Sequence, residues 1–476
     1  MTIAEIVKVL NDIAWGPWML LLLVGTGVYL SVKVGFIQFR KFGYAMKNTI
    51  GKLFQKQTAA GGEVTPFQAM TTALAATVGT GNIAGVTGAI AVGGPGAVFW
   101  MWLSALFGMV TKYAEVVLAV NYRERNAKGD YVGGPMYYIR NGLGKKWNWL
   151  AVVFSVLACL AAFGIGNMTQ VNTIASSFNA AIDAFGGNTG AVTITMFGQV
   201  VPVSSIAVGA VVAVIVALTL FGGIKRIGSV TEKLVPFMAV IYIICALCVI
   251  GTNLGSVGKI FGMIFKGAFN AEAALGGAFG ITIMQTIQKG VGRGVFSNEA
   301  GLGSAPMAHA ASSEKDPVKQ GMYGIFEVFM DTIVICTLTA LTLLCGVESG
   351  VAITWGQSAG TELISASFST VFGNQIGSTI IAVAISLFAL STILSWSLYG
   401  TRCCEFLLGH KATLVYQIVF VCVIIVGATL DLELVWNIAD TLNGFMALPN
   451  LVALLGLSSV VIKLTKEHFA KDGLKK

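Results

Sequence analysis

The chain has 476 residues, of which 55% are hydrophobic and only 11% charged, with a formal net charge of +8. Soluble domains carry roughly 25% charged residues, so an ordinary globular protein is excluded. An outer-membrane barrel is excluded as well, because no ~10-residue segments alternate apolar and polar side chains. The basic residues lie in short segments between apolar runs, where lipid headgroups and topology account for them better than nucleic acid does.

In chain order, apolar runs long enough to cross a ~30 Å hydrocarbon core predict eleven transmembrane helices: 14–33, 67–92, 97–121, 148–180, 203–223, 234–252, 262–288, 320–346, 375–400, 412–430 and 436–462. The first run is followed, not preceded, by basic residues and lacks a small-x-small cleavage site, so it reads as a retained span. Segment 34–60 mixes lysines with Phe36, Phe39, Phe42, Ile50, Leu53 and Phe54, which fits an interfacial amphipathic helix or an ordered loop. Loops 34–63 and 122–147 are basic, as are Lys225 with Arg226, Arg293 with Lys315 and Lys319, Arg402 with Lys411, and the tail. The alternate loops 93–96, 181–202, 347–374 and 431–435 contain no lysine or arginine, Lys259 being the exception on that side. The positive-inside rule then expects the N-terminus outside, the C-terminus in the cytoplasm, and the chain in the plasma (inner) membrane.

The second span carries Gly79-Thr80-Gly81-Asn82 at mid-depth, although glycine costs about 1 kcal/mol relative to alanine inside a helix. The seventh carries Gly276-Gly277-Ala278-Phe279-Gly280. Glycine relieves the steric cost of leaving helical dihedrals. Breaking a helix frees amides and carbonyls, which is tolerable in a membrane only beside a cavity or inside protein. The freed N-terminal end suits a carboxylate, and the unwound carbonyls suit a hard cation. Tight helix packing is the competing account of the same glycines. Five spans separate the two positions, so the second group of five enters the membrane from the opposite side, the topology of inverted repeats. The expected organisation is 1–63, the first span with its basic interfacial segment; 64–256 and 257–465, two inverted five-helix repeats (spans 2–6 and 7–11) with discontinuous first helices; and 466–476, a cytoplasmic tail.

Ionisable residues within spans are functional candidates. Lys112 and Glu115 stand three apart and are expected to pair, while Glu327 and Asp331 stand one turn apart as a gate, a proton-sensitive site or a structural network. Ser297-Asn298-Glu299 reads as a capping turn with Glu299 paired to Arg293. The eight cysteines, including Cys403-Cys404, read as buried thiols, and the three histidines form no cluster. Without a nucleophile, metal set or acid–base constellation, an enzyme is not expected.

Gly79-Thr80-Gly81-Asn82, FSNEAGLGSAP (296–306) and GGPMYYI (133–139) resemble the alanine or glycine:cation symporter family, and the likeness runs over essentially the whole chain. The resemblance implies an all-α polytopic protein of the leucine-transporter-type fold that co-transports Na+ with a small neutral amino acid such as alanine or glycine. It places the substrate carboxylate on the amides of Gly79, Thr80 and Gly81. One sodium falls to Asn82 and the Thr77 carbonyl. A second falls between the Ala75 and Val78 carbonyls and the Ser391 and Thr392 hydroxyls. Gln170 is implied to reach the substrate, with Asn167 either a weaker ligand or an interhelical hydrogen bond. Phe279, Thr282 and Ile283 are expected as an apolar wall, with Trp396, one turn from Thr392, closing over the ligand; bulk packing is the alternative for Phe279 and Trp396. Proton coupling in the same fold and, less favoured, a channel remain open as alternatives to sodium symport.

Overall fold

The computed structural model describes residues 3–52, 59, 64–196, 199–270, 281–430 and 432–471. Among these, eight helices are long and apolar enough to cross a membrane, and nine if the bent pair Pro66–Thr77 and Gly81–Gly93 counts as one span. The expected span 412–430 is the shorter helix Ala412–Gly427. The expected span 262–288 covers the end of Leu254–Phe269, residues outside the described set, and the start of Ile283–Asn298. Strands are confined to two antiparallel ribbons, Glu124–Arg125 with Tyr131–Val132 and Thr193–Met196 with Gln199–Pro202. Segment 34–49 forms the short helices Ile37–Arg40 and Phe42–Thr49, and loop 347–374 contains the helix Thr361–Phe372.

The centre of the bundle is Ala97–Asn121, whose residues from Gly108 to Val120 are all buried. Two helices press on it through glycines. A Cβ at Gly290 would lie 2.6 Å from the Trp100 Cβ, and one at Gly294 would overlap the Ser104 hydroxyl. Gly290 and Gly294 form the small-xxx-small spacing that lets membrane helices approach closely. On the other side, a Cβ at Gly321 would meet the Tyr113 ring at 2.8 Å and one at Gly324 would meet Lys112 Cγ at 2.9 Å. The periphery is apolar: Val211, Val214 and Leu218 are 60%, 59% and 66% exposed. Outward apolar faces over a close-packed, polar-containing interior are what a bilayer solvent selects.

Among the described residues, the bundle interior is interrupted at these places. The pair Pro66–Thr77 and Gly81–Gly93 meets at 48°. Single π-helical stretches, Gly164–Met168 and Phe329–Cys336, interrupt the 145–184 and 317–348 spans. The helix Ile283–Asn298 stops at Glu299 and helical structure resumes at Pro306–His309. These interruptions bring the polar residues of the interior together.

Candidate functional site

The first interruption begins with a strong local start. Thr65 caps Pro66–Thr77 by accepting from the Gln68 amide while the Gln68 side chain accepts from the Thr65 amide, a reciprocal box. The helix ends at Thr77, and Val78 leaves helical dihedrals at φ −79° and ψ 83°. Gly79 donates its N–H to the Thr77 carbonyl at 3.0 Å and to Asn82 Oδ1 at 2.9 Å. The carbonyls stranded before the break find hydroxyls on the span Asn374–Leu408. Thr392 Oγ1 donates to the Ala75 carbonyl at 3.0 Å and the Ala76 carbonyl at 3.4 Å, and Ser391 Oγ lies 3.3 Å from the Ala75 carbonyl. The structure therefore brings Ala75, Ser391 and Thr392 into one buried cluster, with Thr77 and Val78 in the adjoining turn.

Gln170 arrives from the 145–184 span, just after its π-helical stretch. Its Oε1 accepts from the Thr80 amide at 3.3 Å, while its Nε2 donates to the Ile165 carbonyl at 2.8 Å. Gly79 is hemmed in: a Cβ there would overlap the Thr392 hydroxyl and lie 3.3 Å from Gln170 Oε1. Thr80 Oγ1 is buried with no hydrogen-bond partner among the described residues. Asn82 extends the cluster to a buried carboxylate, its Nδ2 donating to Asp331 Oδ1 at 2.7 Å. Asp331 also accepts from the Ser297 and Thr332 hydroxyls, both at 2.8 Å. Asp331 stands out in the sequence only as an intramembrane acid; its meeting with Asn82 depends on a partner 249 positions away.

The second interruption is charged. Glu299 adopts left-handed dihedrals at φ 56°, followed by Gly301 at 96° and Gly303 at 82°, so the chain reverses where only glycine avoids a steric penalty. Glu115 Oε1 accepts from the Gly301 and Gly303 amides at 3.1 and 3.0 Å and from Asn450 Nδ2 at 2.5 Å. Asn450 also donates to the Gly301 carbonyl at 2.9 Å and accepts from the Tyr138 hydroxyl. Glu299 accepts from the Ser304 hydroxyl and from Trp396 Nε1, the latter at 2.9 Å.

Several expectations change. Glu299 does not pair with Arg293, which instead meets Asp440 at 3.1 Å. Lys112 and Glu115 do not form an ion pair; Glu115 spends one oxygen on the broken backbone, and Lys112 Nζ is buried with no hydrogen-bond partner among the described residues. Of the roles left open for Glu327 and Asp331, a structural network fits Glu327, which meets His309 at 2.5 Å, with Gln320 2.8 Å from His309 and 2.8 Å from the Ser312 hydroxyl; Asp331 belongs to the separate cluster at Asn82. Trp396 is fully buried, bonded to Glu299 and seated against Gly166, where a Cβ would overlap its side chain. Asn167 donates to the Phe420 carbonyl at 2.8 Å, the interhelical bond. Thr282 caps Ile283–Asn298 in a box with Gln285, and Ile283 is 46% exposed. One turn on, Thr286 bonds the Gly93 carbonyl at 2.8 Å, fourteen residues beyond Gly79. Thr282 and Ile283 thus sit about 20 Å along the helix axis from the break and do not wall it. Phe279 and the stretch 276–280 lie outside the described residues.

On the face of the bundle that carries loop 347–374, a cavity of about 600 Å³ reaches inward past Gly85, Thr173, Lys289 and Asp440. Arg293 forms part of its floor, its guanidinium 4.9 Å from the Phe296 ring centre and 5.3 Å from that of Trp436. The two rings are stacked 5.7 Å apart, and the Phe296 ring lies 3.5 Å from where a Gly81 Cβ would be. This group separates the cavity from the first interruption.

A protein-family model described as the sodium:alanine symporter family matches residues 1–476. The sodium/alanine symporter AgcS of Methanococcus maripaludis is 46% identical over 472 residues, covering 98% of this chain and 97% of that one. An uncharacterized transporter of Haemophilus influenzae is 44% identical over 474 residues, covering 99% and 97%. The probable sodium/glutamine symporter GlnT of Bacillus subtilis is 36% identical over 470 residues, covering 98% and 90%. Among solved structures, MhsT in complex with L-phenylalanine aligns with a TM-score of 0.59 at 13% identity, over 85% of this chain and 99% of that one, a likeness of fold. With a broken, glycine-centred span, a buried polar interior and relatives matched end to end, the chain belongs to the sodium:alanine symporter family, as a multi-pass helical membrane transporter and not an enzyme.

Proposed function

We propose that the protein couples the inward movement of sodium to symport of a small neutral amino acid, alanine or glycine, by alternating access. The observation that carries this reading is the bonding of the Ser391 and Thr392 hydroxyls to the Ala75 and Ala76 carbonyls stranded by the break. Two hydroxyls and two or three carbonyls within one buried turn form an oxygen-only shell, the donor set a hard cation takes. In this reading sodium enters between those groups and the Val78 carbonyl, and the hydroxyls turn their lone pairs toward it. A second sodium is held by the Thr77 carbonyl and Asn82 Oδ1. Asp331, already within hydrogen-bond reach of Asn82, supplies the compensating charge and completes a set the sequence alone leaves unfinished.

The substrate carboxylate rests on the amides of Gly79, Thr80 and Gly81, where a helix N-terminus favours an anion, and Gln170 is released from the Thr80 amide to meet it. Thr392 contributes to both ion and substrate. The room beside Gly79 is too small for a Cβ, which supports a substrate with a short side chain. Discrimination between glycine and alanine by such a wall is worth only ~1–3 kcal/mol. Arg293, Phe296, Trp436 and Asp440 act as the partition that opens toward the cavity in one half of the cycle. Each net charge moved down 100 mV contributes about 2.3 kcal/mol.

The same reading makes 64–256 and 257–465 inverted repeats. The lysine- and arginine-bearing loops support a cytoplasmic C-terminus and an external N-terminus. The test is uptake of labelled alanine into proteoliposomes with an inward sodium gradient, with sodium replaced by choline, and with an imposed proton gradient alone. Uptake should saturate and require sodium. Equal uptake in choline, or uptake following the proton gradient alone, replaces this reading with proton coupling; linear, unsaturable flux replaces it with a channel.

A further inference from the structure

A second cavity, of about 580 Å³, lies at the opposite face of the bundle from the one above the break. It sits where the C-terminal end of Val203–Leu220 meets the N-terminal end of Ala412–Gly427, beside loop 126–130 and the last turns of Asn374–Leu408. Its walls divide by chemistry. The lower part is apolar, made by Leu220, Phe221, Ile224, Leu398 and Leu414. Phe221 and Leu414 are 52% and 56% exposed, and the surface running away from them toward mid-membrane is apolar as well, with Leu218, Val415 and Ile418 at 66%, 64% and 48%. An acyl chain leaving the cavity therefore meets hydrocarbon-compatible surface along the seam of the two helices.

The upper part is basic. Lys128, Arg402 and Lys411 line it, and Lys225 and Arg226 project from the turn that supplies Ile224 and Ile227. Two carboxylates, Asp130 and Glu405, and one imidazole, His410, share the lining. Glu405 is already engaged: Arg402 Nη1 lies 2.7 Å from Oε2, and Asn126 Nδ2 and His410 Nδ1 lie 3.1 and 3.3 Å from Oε1. Lys128 and Lys411 enter no ion pair among the described residues, and both are exposed at the mouth. Lys128 and Lys411 thus share the lining with one carboxylate outside the Arg402–Glu405 network, Asp130.

The geometry points to a binding site for an anionic phospholipid, its headgroup between Lys128 and Lys411 and its acyl chain on the Phe221–Leu414 seam. A basic pocket between membrane helices on the face with basic loops is where acidic headgroups gather. A free phosphate matches the lysines but leaves the apolar half without an occupant, which is why the observations favour the lipid. A lipid there bridges Val203–Leu220 and Ala412–Gly427, the fourth helices of the two proposed repeats, to Asn374–Leu408, the span that carries Ser391 and Thr392.

The test uses the full-length protein in neutral detergent and native mass spectrometry with chain-matched phosphatidylglycerol and phosphatidylcholine. Each basic side chain near an anionic surface is worth about fivefold in binding. The native chain should retain phosphatidylglycerol at least about twenty-five-fold better than phosphatidylcholine. In K128Q/K411Q that preference should fall by about twenty-five-fold, whereas K128R/K411R and the distant exposed pair K145Q/K146Q should keep it. Equal retention of both lipids by the native chain, or an unchanged preference in K128Q/K411Q, overturns the proposal. Displacement of phosphatidylglycerol by millimolar inorganic phosphate also overturns it, reassigning the lysines to a soluble anion.

Discussion

The two interrupted helices start alike and end differently. Both open with a Thr-x-x-Gln box, Thr65 to Gln68 and Thr282 to Gln285. The first breaks at Val78–Thr80, among hydroxyls and amides: Thr392, Ser391, Gln170 and Asn82 satisfy its loose ends. The second breaks at Glu299–Ser304 and is gripped by a carboxylate, with Glu115 taking two backbone amides and Asn450. Neutral partners at 2.9–3.4 Å exchange readily with a ligand. A buried carboxylate with three donors does not, because bonds to charged groups are about twice as strong and leaving one unmade costs several kcal/mol. The first break is held by exchangeable neutral partners; the second is anchored by a carboxylate.

The largest effect expected from this contrast is on stability. Glu115→Ala leaves the Gly301 and Gly303 amides unpaired, takes one acceptor from Asn450 Nδ2 and removes one of the carboxylates around Lys112, a loss of about 3–5 kcal/mol. Thermal unfolding in detergent should show a marked fall in midpoint, and Glu115→Gln, which keeps an acceptor, a smaller one. A Glu115→Ala midpoint equal to the native value would mean the second break needs no anchor.

Next comes Gly79→Ala. Its Cβ overlaps the Thr392 hydroxyl, and overpacking of this kind costs about 1–3 kcal/mol. Alanine uptake should drop up to a hundredfold while the unfolding midpoint falls less than in Glu115→Ala. A folded Gly79→Ala with native uptake would remove this turn from the transport path.

Thr392→Ala sharpens the comparison further. Removing one hydroxyl from the carbonyl cluster is worth about 1–2 kcal/mol, so the sodium concentration for half-maximal uptake should rise about tenfold, with Thr392→Ser within about twofold of native. Asn82→Ala should likewise weaken sodium dependence; unchanged sodium kinetics in both variants would leave the first break without an ion.

The smallest effect lies outside both breaks. Asp316 caps Pro317–Val328 through the Val318 and Lys319 amides and meets His468 of the C-terminal helix at 2.7 Å. Burial pushes its carboxyl up, but the His468 hydrogen bond and charge, with the two amides, outweigh that and hold it below the ordinary range. A carboxyl with a depressed folded pKa contributes stability above its unfolded value of about 3.9, and that contribution is lost as pH falls through the folded value. Asp316→Asn should cost about 1 kcal/mol near neutrality, in the range of a lost cap. It should also flatten the acid limb of a stability–pH curve, and a curve that overlays the native one would refute the contribution.

What could be read from the sequence follows from how local its causes are. Hydropathy fixes where helices run, since each backbone must satisfy itself in lipid. The dipeptide steps Gly79-Thr80 and Gly81-Asn82 mark the first break because glycine next to a polar amide has no purpose in a lipid-facing helix. The break expected at Gly276–Gly280 lies outside the described residues. The interruption at Glu299 was not legible, because Gly301 and Gly303 meet there a carboxylate 186 and 188 positions away.

The sequence by itself determined the class of the molecule, the approximate runs of its spans and the first interruption, all properties of nearest neighbours and of transfer to hydrocarbon. Only the tertiary structure decided the partners of the buried charges. Arg293 stands six positions from Glu299 yet pairs with Asp440, and Lys112 stands beside Glu115 yet leaves it to the Gly301–Gly303 turn. Inside a membrane the cost of an unmatched polar group is high and any matching group within reach will serve, so helix packing, not proximity in sequence, makes the choice.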